Sequence, residues 1–244
     1  MVMREISWRG FSGVEFEVLG QPVTLIKPNT APNGKCVFKT EYFEAFPDTQ
    51  IEFLNRGWHL VFNKNNNRWA EDYDLQRKVA VINILSEEFG LSEKVTLLGM
   101  SCGGLYAVKL AAIIPERIDA LYLDAPVMNL LSCPFGFGNK THPDVTEEEY
   151  FRCTGRSRIE MLSYRDHPID KMHILLENDI PIVLVAGDSD VVVPYEENGM
   201  LLENYYKNNG GRITVHLKNG CGHHPHGLED YKTVVNEIEK YIGV

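Results

Sequence analysis

A change of pattern near residue 35 sets the class of fold that is open to this sequence. Before it, apolar and polar residues alternate over 14–19 and again over 23–26, on either side of a turn at Gly20, and predict an antiparallel hairpin. After it, short apolar runs alternate with longer segments of helical period, a pattern typical of strand–helix–strand units in a parallel sheet. The strands predicted in that part of the chain are 35–39, 58–63, 95–98, 118–123, 181–186 and 212–217.

The segments between these strands predict helices. Residues 72–89 carry apolar side chains at helical spacing and are followed by Gly90. Residues 102–114 have no polar face and end at Pro115, which predicts a deeply buried helix. Two further helices are predicted, at 195–208 and 228–242. The sequence therefore predicts an α/β protein with a mostly parallel central sheet and helices on both faces.

Residues 126–179 break this alternation. Pro, Gly and polar residues precede two or three short amphipathic pieces, and the segment is too long for a plain connection between strands. Ligands of open α/β sheets bind at the carboxyl ends of the strands, so an insertion that leaves from this edge is expected to form a small lid over a site. We expect 1–244 to be a single domain that carries this lid.

Charge and composition restrict the class of partner. The 244 residues carry a formal net charge of −10, which repels the phosphates of nucleic acid and anionic membrane surfaces. The sequence shows neither a signal peptide nor an apolar stretch of membrane-spanning length. Its five cysteines are widely spread and lack a CxxC pair. We expect a cytoplasmic protein without a cofactor that acts on a small molecule, and homo-oligomerisation is left open.

The strongest chemical signal is a G-x-S-x-G pattern at residues 99–103, between a predicted strand and the predicted buried helix. A serine on such a strained strand-to-helix turn needs glycines two positions away on either side, because a Cβ atom there would clash with neighbouring backbone. Ser101 is therefore the predicted nucleophile. The N–H of Cys102 is expected to donate to the developing oxyanion, whereas its thiol is expected to be inert packing.

A serine nucleophile needs a base and an acid that orients this base. His223, His224 and His226 follow the last predicted strand, and His223 is the preferred base, before His224 and then His226. The acid is expected on the loop after the preceding strand. Asp190 is preferred there over Asp188, which is better placed to brace the loop through backbone hydrogen bonds.

Two alternatives concern the same side chains. Asp124, at the end of strand 118–123, is a third candidate acid, although a structural role at the base of the lid is preferred for it. The histidine cluster is also a candidate zinc site. Adjacent histidines usually diverge, however, and no ligand-spaced cysteine or carboxylate accompanies them, so no metal site is expected.

The walls of the site are predicted less sharply. A second oxyanion donor is expected on the loop after strand 35–39, from the backbone N–H of Glu41 or Tyr42. The predicted substrate contacts are Met100, Phe135 and Trp69. An HGGG loop, common in lipases, is absent, so a large lipid substrate gains no support.

The lid is locally basic although the chain is acidic. Arg152, Arg156 and Arg158 lie in this segment together with Tyr164 and His142. Attraction of an anionic substrate and a solvated surface cluster both remain open as explanations.

Six stretches resemble the α/β hydrolases of the prolyl-oligopeptidase-like and bile-acid-CoA-thioesterase-like branch, in particular short bacterial esterases. These stretches are 42–47, 56–59, 99–104, 123–127, 193–198 and 222–227. The resemblance covers nearly the whole chain and implies the α/β-hydrolase fold with a Ser101, Asp190 and His223 triad. Some relatives sit beside carbohydrate-esterase modules, which implies sugar esters as substrates. Residues 36–39 and 63–69 depart from the relatives' pattern, so substrate choice is not carried over.

Together these features predict a serine hydrolase that cleaves a carboxylic ester with a small or sugar-borne acyl group. A serine peptidase or thioesterase of the same fold is the alternative enzyme, and the peptidase is disfavoured because the sequence shows no propeller or other gating domain. A non-catalytic binding protein is the competing class, since a fold alone does not prove chemistry.

Overall fold

The fold is described from a computed structural model that covers residues 2–138 and 147–244. In these ranges nine strands form one sheet in the order β1-β2-β3-β5-β4-β6-β7-β8-β9. The strands are β1 (Arg4–Trp8), β2 (Phe11–Val18), β3 (Gln21–Ile26), β4 (Cys36–Lys39), β5 (His59–Asn63), β6 (Val95–Met100), β7 (Ile118–Asp124), β8 (Ile182–Gly187) and β9 (Ile213–Lys218).

The sheet has an antiparallel and a parallel part. β1, β2, β3 and β5 pair antiparallel in succession, whereas β5, β4, β6, β7, β8 and β9 are parallel to one another. The predicted mostly parallel sheet is confirmed, and each predicted strand of the parallel part lies within one or two residues of an observed one. β1 was missed because it is an edge strand whose residues are mostly exposed, so that its own alternation is weak.

Eight α-helices lie in the described ranges. They are α1 (Asp48–Asn55), α2 (Asp72–Phe89), α3 (Cys102–Ile113), α4 (Glu147–Thr154), α5 (Arg158–Ser163), α6 (Met172–Glu177), α7 (Gly199–Asn208) and α8 (Lys232–Ile242). None of the helices in this described part of the chain is long and apolar enough to cross a membrane.

Two separate hydrophobic clusters show that helices cover both faces of the sheet. One cluster contains apolar side chains of α2, α3 and α7, and the other contains those of α1 and α8. The helices predicted at 72–89 and 102–114 match α2 and α3 closely. α1 was missed because polar residues such as Gln50 and Glu52 are buried in it beside Phe53 and Leu54, which blurs its apolar period.

The helix predicted at 195–208 is interrupted. A 3₁₀ turn at Tyr195–Glu197 precedes α7, and the backbone of Asn198 lies outside the helical region between them. The Oδ1 atom of buried Asn198 accepts hydrogen bonds from the N–H groups of Met128 and Asn129, each at 3.0 Å. Asn198 therefore interrupts the helical segment, and its side chain holds Met128 and Asn129, near the start of the lid.

The insertion between β7 and β8, which is the predicted lid, contains short helices. α4, α5 and α6 belong to it, and a 3₁₀ turn at Pro168–Lys171 precedes α6. On these three helices Tyr150, Met161 and Leu175 are buried and join the cluster on the α3 face, as do Val127, Met128, Leu130 and Cys133 nearer the start of the insertion. The lid is consequently packed onto the body of the protein by apolar contacts.

Candidate active site

Ser101 lies on the sharp turn between β6 and α3. Its backbone has φ 52° and ψ −120°, a conformation outside the regions that ordinary residues prefer. Two hydrogen bonds fix this turn: the Ser101 N–H donates to Asp124 O at 2.9 Å, and the Val127 N–H donates to Ser101 O at 3.0 Å. The end of β7 and the start of the lid therefore hold the strained serine in place.

The glycines around Ser101 are needed for close packing. A Cβ atom on Gly99 would lie 2.5 Å from Gly103 O, and one on Gly104 would lie 2.3 Å from Pro126 Cβ. Both distances are far below van der Waals contact, and the neighbouring groups are backbone or a rigid ring. Gly99 of the G-x-S-x-G pattern is therefore required for steric reasons, as is Gly104 next to the pattern. A Cβ atom on Gly103, the second glycine of the pattern, would lie 3.1 Å from Thr40 Oγ1.

Ser101, His223 and Asp190 form a chain of hydrogen bonds. The Ser101 Oγ atom lies 3.0 Å from His223 Nε2, and His223 Nδ1 lies 2.7 Å from Asp190 Oδ2. Asp190 Oδ1 accepts hydrogen bonds from the N–H groups of Val192 and Val193, which fix the orientation of the carboxylate. The imidazole and the carboxylate are buried, so their interaction is shielded from water.

The other two candidate acids have different partners. Asp188 Oδ1 accepts hydrogen bonds from the Gly220 N–H at 2.7 Å and the Ser189 hydroxyl at 2.9 Å, so this carboxylate braces two loops. Asp124 was expected to hold the base of the lid, but its carboxylate instead contacts the histidine loop. Asp124 Oδ1 lies 2.7 Å from His226 Nδ1, and Oδ2 accepts from the Gly227 N–H.

Asp124 is fully buried, and burial raises the pKa of its carboxyl group. Hydrogen bonds from His226 and from the Gly227 N–H outweigh this effect, and the pKa is lowered overall. The phenol of Tyr122 adds a further hydrogen bond to Oδ2 at 2.9 Å. The Asp124 carboxylate is therefore paired with the His226 imidazole, beside the pair of Asp190 and His223.

The two candidate oxyanion donors on the loop after β4 are not equivalent. The Tyr42 N–H donates to Glu41 Oε1 at 3.2 Å, so the side chain of one candidate engages the backbone of the other. The Glu41 N atom lies on the side of α3, 3.5 Å from the point that a Cβ atom on Gly103 would occupy. Cys102 is the first residue of α3, where backbone N–H groups have no acceptor within the helix.

A cavity of about 160 Å³ opens above Ser101. Its wall combines apolar side chains with an arginine, a tyrosine and three histidines. The lining residues are Tyr42, Ala45, Phe46, Arg68, Met100, Ser101, Cys102, Cys133, Val192, His223, His224 and His226.

The three predicted substrate contacts have different positions relative to this cavity. Met100 lines it. Phe135 and Trp69 do not belong to its lining, and both pack edge-on against Tyr150 of the lid, with ring centroids 5.1 Å apart in each case. Trp69 therefore packs against the lid and Phe135 packs within it, and neither belongs to the cavity wall.

Ion pairs engage the basic side chains around the lid. Arg68 makes a bidentate contact with Glu149, Arg156 Nη1 lies 2.6 Å from Glu71, and Arg158 contacts Glu147. The hydrogen bond from Arg68 lowers the pKa of the Glu149 carboxyl group, so this pair is ionised. Acidic partners thus offset the charges of Arg156 and Arg158, two of the three arginines in the basic group of the lid.

His142, which the sequence places in the same basic group, lies outside the described residues. Tyr164 packs under the Arg156 guanidinium at 5.2 Å, within the lid itself.

Lys39 is buried directly below the site. Its Nζ atom donates to Gln50 Oε1 at 2.9 Å and to Ala45 O at 3.1 Å, and it contacts Met100 Sδ. Burial lowers the pKa of Lys39 to about 7, against a smaller opposing effect of Asp124. The Lys39 amine thus connects the segment that carries Ala45 to the strand before Ser101.

Several cavity residues could not be found from the sequence. Arg68, Cys133 and Val192 come from three separate loops and belong to no motif, whereas Phe46 lies in one of the six stretches that resemble the hydrolase family. His226 did carry a signal, its closeness to His223 in the chain, but its pairing with Asp124 depends on the order of strands in the sheet.

Comparisons with known proteins agree with this architecture. A puromycin-hydrolysing peptidase of Mycobacterium tuberculosis superposes with a TM-score of 0.70 at 17% identity, over 95% of this chain and 38% of that one. Est1E from Butyrivibrio proteoclasticus superposes with a TM-score of 0.62 at 16% identity, over 98% and 97% of the two chains. The molecule therefore has the α/β-hydrolase fold.

The sequence also defines the family. The model of the prolyl oligopeptidase family matches residues 55–243, which is more than half of the chain. The chain belongs to this family. A protein of Mycoplasma genitalium named "Putative esterase/lipase 2" is 24% identical over 159 residues. That alignment spans 54% of this chain and 58% of the relative, so the chain spans less than two thirds of this protein and of the peptidase above.

Proposed function

We propose that the protein is a serine hydrolase that cleaves carboxylic esters of small acyl groups through an acyl-enzyme. The observation that carries this proposal is the hydrogen-bonded chain from Ser101 Oγ through His223 to Asp190, with distances of 3.0 and 2.7 Å. A serine hydroxyl is a weak nucleophile at neutral pH and needs this arrangement of base and orienting acid to react.

The geometry assigns a role to each member of the chain. Ser101 Oγ attacks the acyl carbonyl while His223 Nε2 takes its proton. Asp190 holds the His223 Nδ1–H and stabilises the imidazolium that forms. As the tetrahedral intermediate collapses, His223 returns the proton to the leaving alcohol. Water then attacks the acyl-enzyme by the same route, which releases the acid and restores Ser101.

The negative oxygen of the intermediate needs donors that are already in position. The Cys102 N–H, at the start of α3, is the first donor. The Glu41 N–H is the better candidate for the second one, because the Tyr42 N–H already donates to a carboxylate. Burial raises the pKa of the Tyr42 phenol, so this group stays neutral and can donate a hydrogen bond as well.

The cavity supports a short acyl group. Its volume of about 160 Å³ is below the roughly 300–1,000 Å³ of pockets that enclose drug-sized ligands. Ala45, Phe46, Met100 and Val192 supply an apolar wall suited to an alkyl chain. The name of the Mycoplasma genitalium relative supports an ester as the substrate class.

Amide hydrolysis is the second candidate, since the family match and the superposed mycobacterial protein both refer to peptidases. The two functions share Ser101, His223 and Asp190 and differ in the leaving group. An amine must be protonated before it leaves, whereas an alcohol leaves more readily. Direct comparison of an ester with an amide of the same acyl group separates them.

The first test is labelling with a fluorophosphonate probe. Wild-type protein is expected to be labelled, whereas Ser101→Ala and His223→Ala are not. Ser189→Ala is the matched control, since this exposed serine lies near the acid and donates to Asp188. A folded wild-type protein that resists the probe would favour the non-catalytic binding protein.

The second test concerns the substrate. Turnover of p-nitrophenyl esters is expected to fall from acetate and butyrate to octanoate, because the cavity is small. An octanoate ester that reacts as fast as acetate would contradict the proposed acyl size. A p-nitroanilide with a kcat/KM similar to that of the matching ester would favour the peptidase.

A further inference from the structure

Three imidazoles meet at one corner of the cavity. The ring centroids of His223, His224 and His226 lie 4.9 to 5.0 Å from one another, and the ring planes are inclined by 64° to 86°. One nitrogen atom of each ring lies within 4.8 Å of the others. The sequence suggested that adjacent histidines diverge, but the loop brings these three side chains together.

Two of the three rings are held by buried carboxylates. His223 Nδ1 lies 2.7 Å from Asp190, and His226 Nδ1 lies 2.7 Å from Asp124. Imidazoles that bind metals usually donate their second ring N–H to a carboxylate, which fixes the tautomer and raises the basicity of the coordinating nitrogen. The outer contacts of a metal site are therefore present around these histidines.

We propose that His223, His224 and His226 form a binding site for a divalent transition-metal ion of the Zn²⁺ type, and that the bound ion blocks the active site. Three imidazole ligands with further positions open to water or another ligand are a known zinc arrangement. Ser101 Oγ, 3.0 Å from His223 Nε2, lies within reach of such a fourth position.

The bound ion would block the reaction because of the nitrogen atom that it coordinates. With Nδ1 of His223 held by Asp190, coordination takes the Nε2 lone pair, the same pair that accepts the Ser101 proton in the proposed reaction. No bond of the protein is broken, so a chelator is expected to restore the active state. This inhibition rests on the proposed function, whereas binding of the ion does not.

Binding is tested first, by isothermal titration of the full chain with ZnCl₂ and by the absorption spectrum of bound Co²⁺. One ion per chain is expected, and His224→Ala and His226→Ala should each weaken its affinity by tenfold or more. His224 is exposed, so its substitution leaves the fold intact. Asp124→Asn should weaken affinity by about 10- to 100-fold through His226.

Two control variants separate this site from other ligands. His216→Ala removes a histidine on β9 that pairs with Glu237, and Cys221→Ser removes a thiol near the cluster in the chain. Both controls should bind Zn²⁺ like the wild type. The proposal is wrong if stoichiometric binding is not found, or if it is lost in Cys221→Ser and kept in His224→Ala.

The block is tested by fluorophosphonate labelling with and without ZnCl₂. Zinc should suppress labelling of the wild type at least tenfold, a chelator should restore it, and His224→Ala should need at least tenfold more zinc. Binding of zinc to the wild type without any loss of labelling would refute the block. A protein that is not labelled even without zinc would refute the proposed function, and the titration would still decide the metal site.

Discussion

Replacing Lys78 with methionine is expected to remove a pH dependence from the stability of this fold. Lys78 lies in α2 and is fully buried. Its Nζ atom donates to Asn63 O at 3.3 Å and lies about 5 Å from the ring centroids of Phe38 and Tyr106. Burial lowers the pKa of Lys78 to about 7, although Glu41 and Asp74 oppose this shift.

The size of this pH effect on the free energy of unfolding follows from the difference between the pKa of Lys78 and that of an exposed lysine, about 10.4. Between about pH 7 and pH 10 the unfolded chain keeps a proton that the native state has lost, so the free energy of unfolding rises with pH. The slope is about 1.4 kcal/mol per pH unit for one lysine, and the whole effect is at most about 5 kcal/mol. Lys39, with a pKa also near 7, adds a second contribution of the same sign.

Urea unfolding measured in steps from about pH 6 to about pH 10 tests this reasoning. Lys78→Met should be more stable than the wild type at the acidic end, and its slope should be smaller by about 1.4 kcal/mol per pH unit. Lys207→Met is the control, because Lys207 is exposed and pairs with Glu203 on the surface of α7. Parallel curves for the wild type and Lys78→Met would refute the assigned pKa.

Three further changes test the site. Asp190→Asn should lower kcat for an ester by about 10³- to 10⁴-fold, because the amide favours the wrong imidazole tautomer; a loss below about tenfold would point to another acid. Gly104→Ala should destabilise by about 1–3 kcal/mol in urea, since the new Cβ would lie 2.3 Å from Pro126 Cβ, and an unchanged midpoint would contradict this packing. Glu149→Gln leaves the Arg68 charge without its partner beside the cavity, so KM for an ester with a carboxylate in its acyl group should fall relative to the uncharged ester; an equal change for both esters would exclude this role.

The parallel sheet and the turn at Ser101 could be predicted because their signals are local. The apolar period of α2 ends at Gly90. The φ of this residue is 64°, in the left-handed region that glycine adopts easily. The strand before Ser101 is buried along its whole length, and Val95, Leu97, Leu98 and Met100 give it an apolar character. In both places the signal lies in neighbouring residues, although hydrogen bonds with Asp124 and Val127 also hold the turn at Ser101.

Part of the cavity wall and the partners of Asp124 and Glu149 could not be predicted, because they depend on pairs of residues that are distant in the chain. Asn198 leaves a helical segment to hold lid residues about 70 positions earlier in the chain. Arg68 is held by Glu149, on a helix that follows it by 81 residues. Contacts of this kind depend on strand order and lid placement, and neither can be derived from the period of one segment.

Asp124 combines a local feature, the end of a strand, with contacts to residues that are distant in the chain. In the parallel pair β6–β7, Met100 lies beside Asp124, so the strand that ends at the Ser101 turn has this carboxylate as its neighbour. Asp190 follows β8, the next strand in the sheet, and its carboxylate holds the His223 imidazole. The histidine loop is consequently attached to two adjacent strand ends, through His223 and through His226. Because both attachments are buried hydrogen bonds, the loop is held at two points, and the same arrangement brings three imidazoles close together.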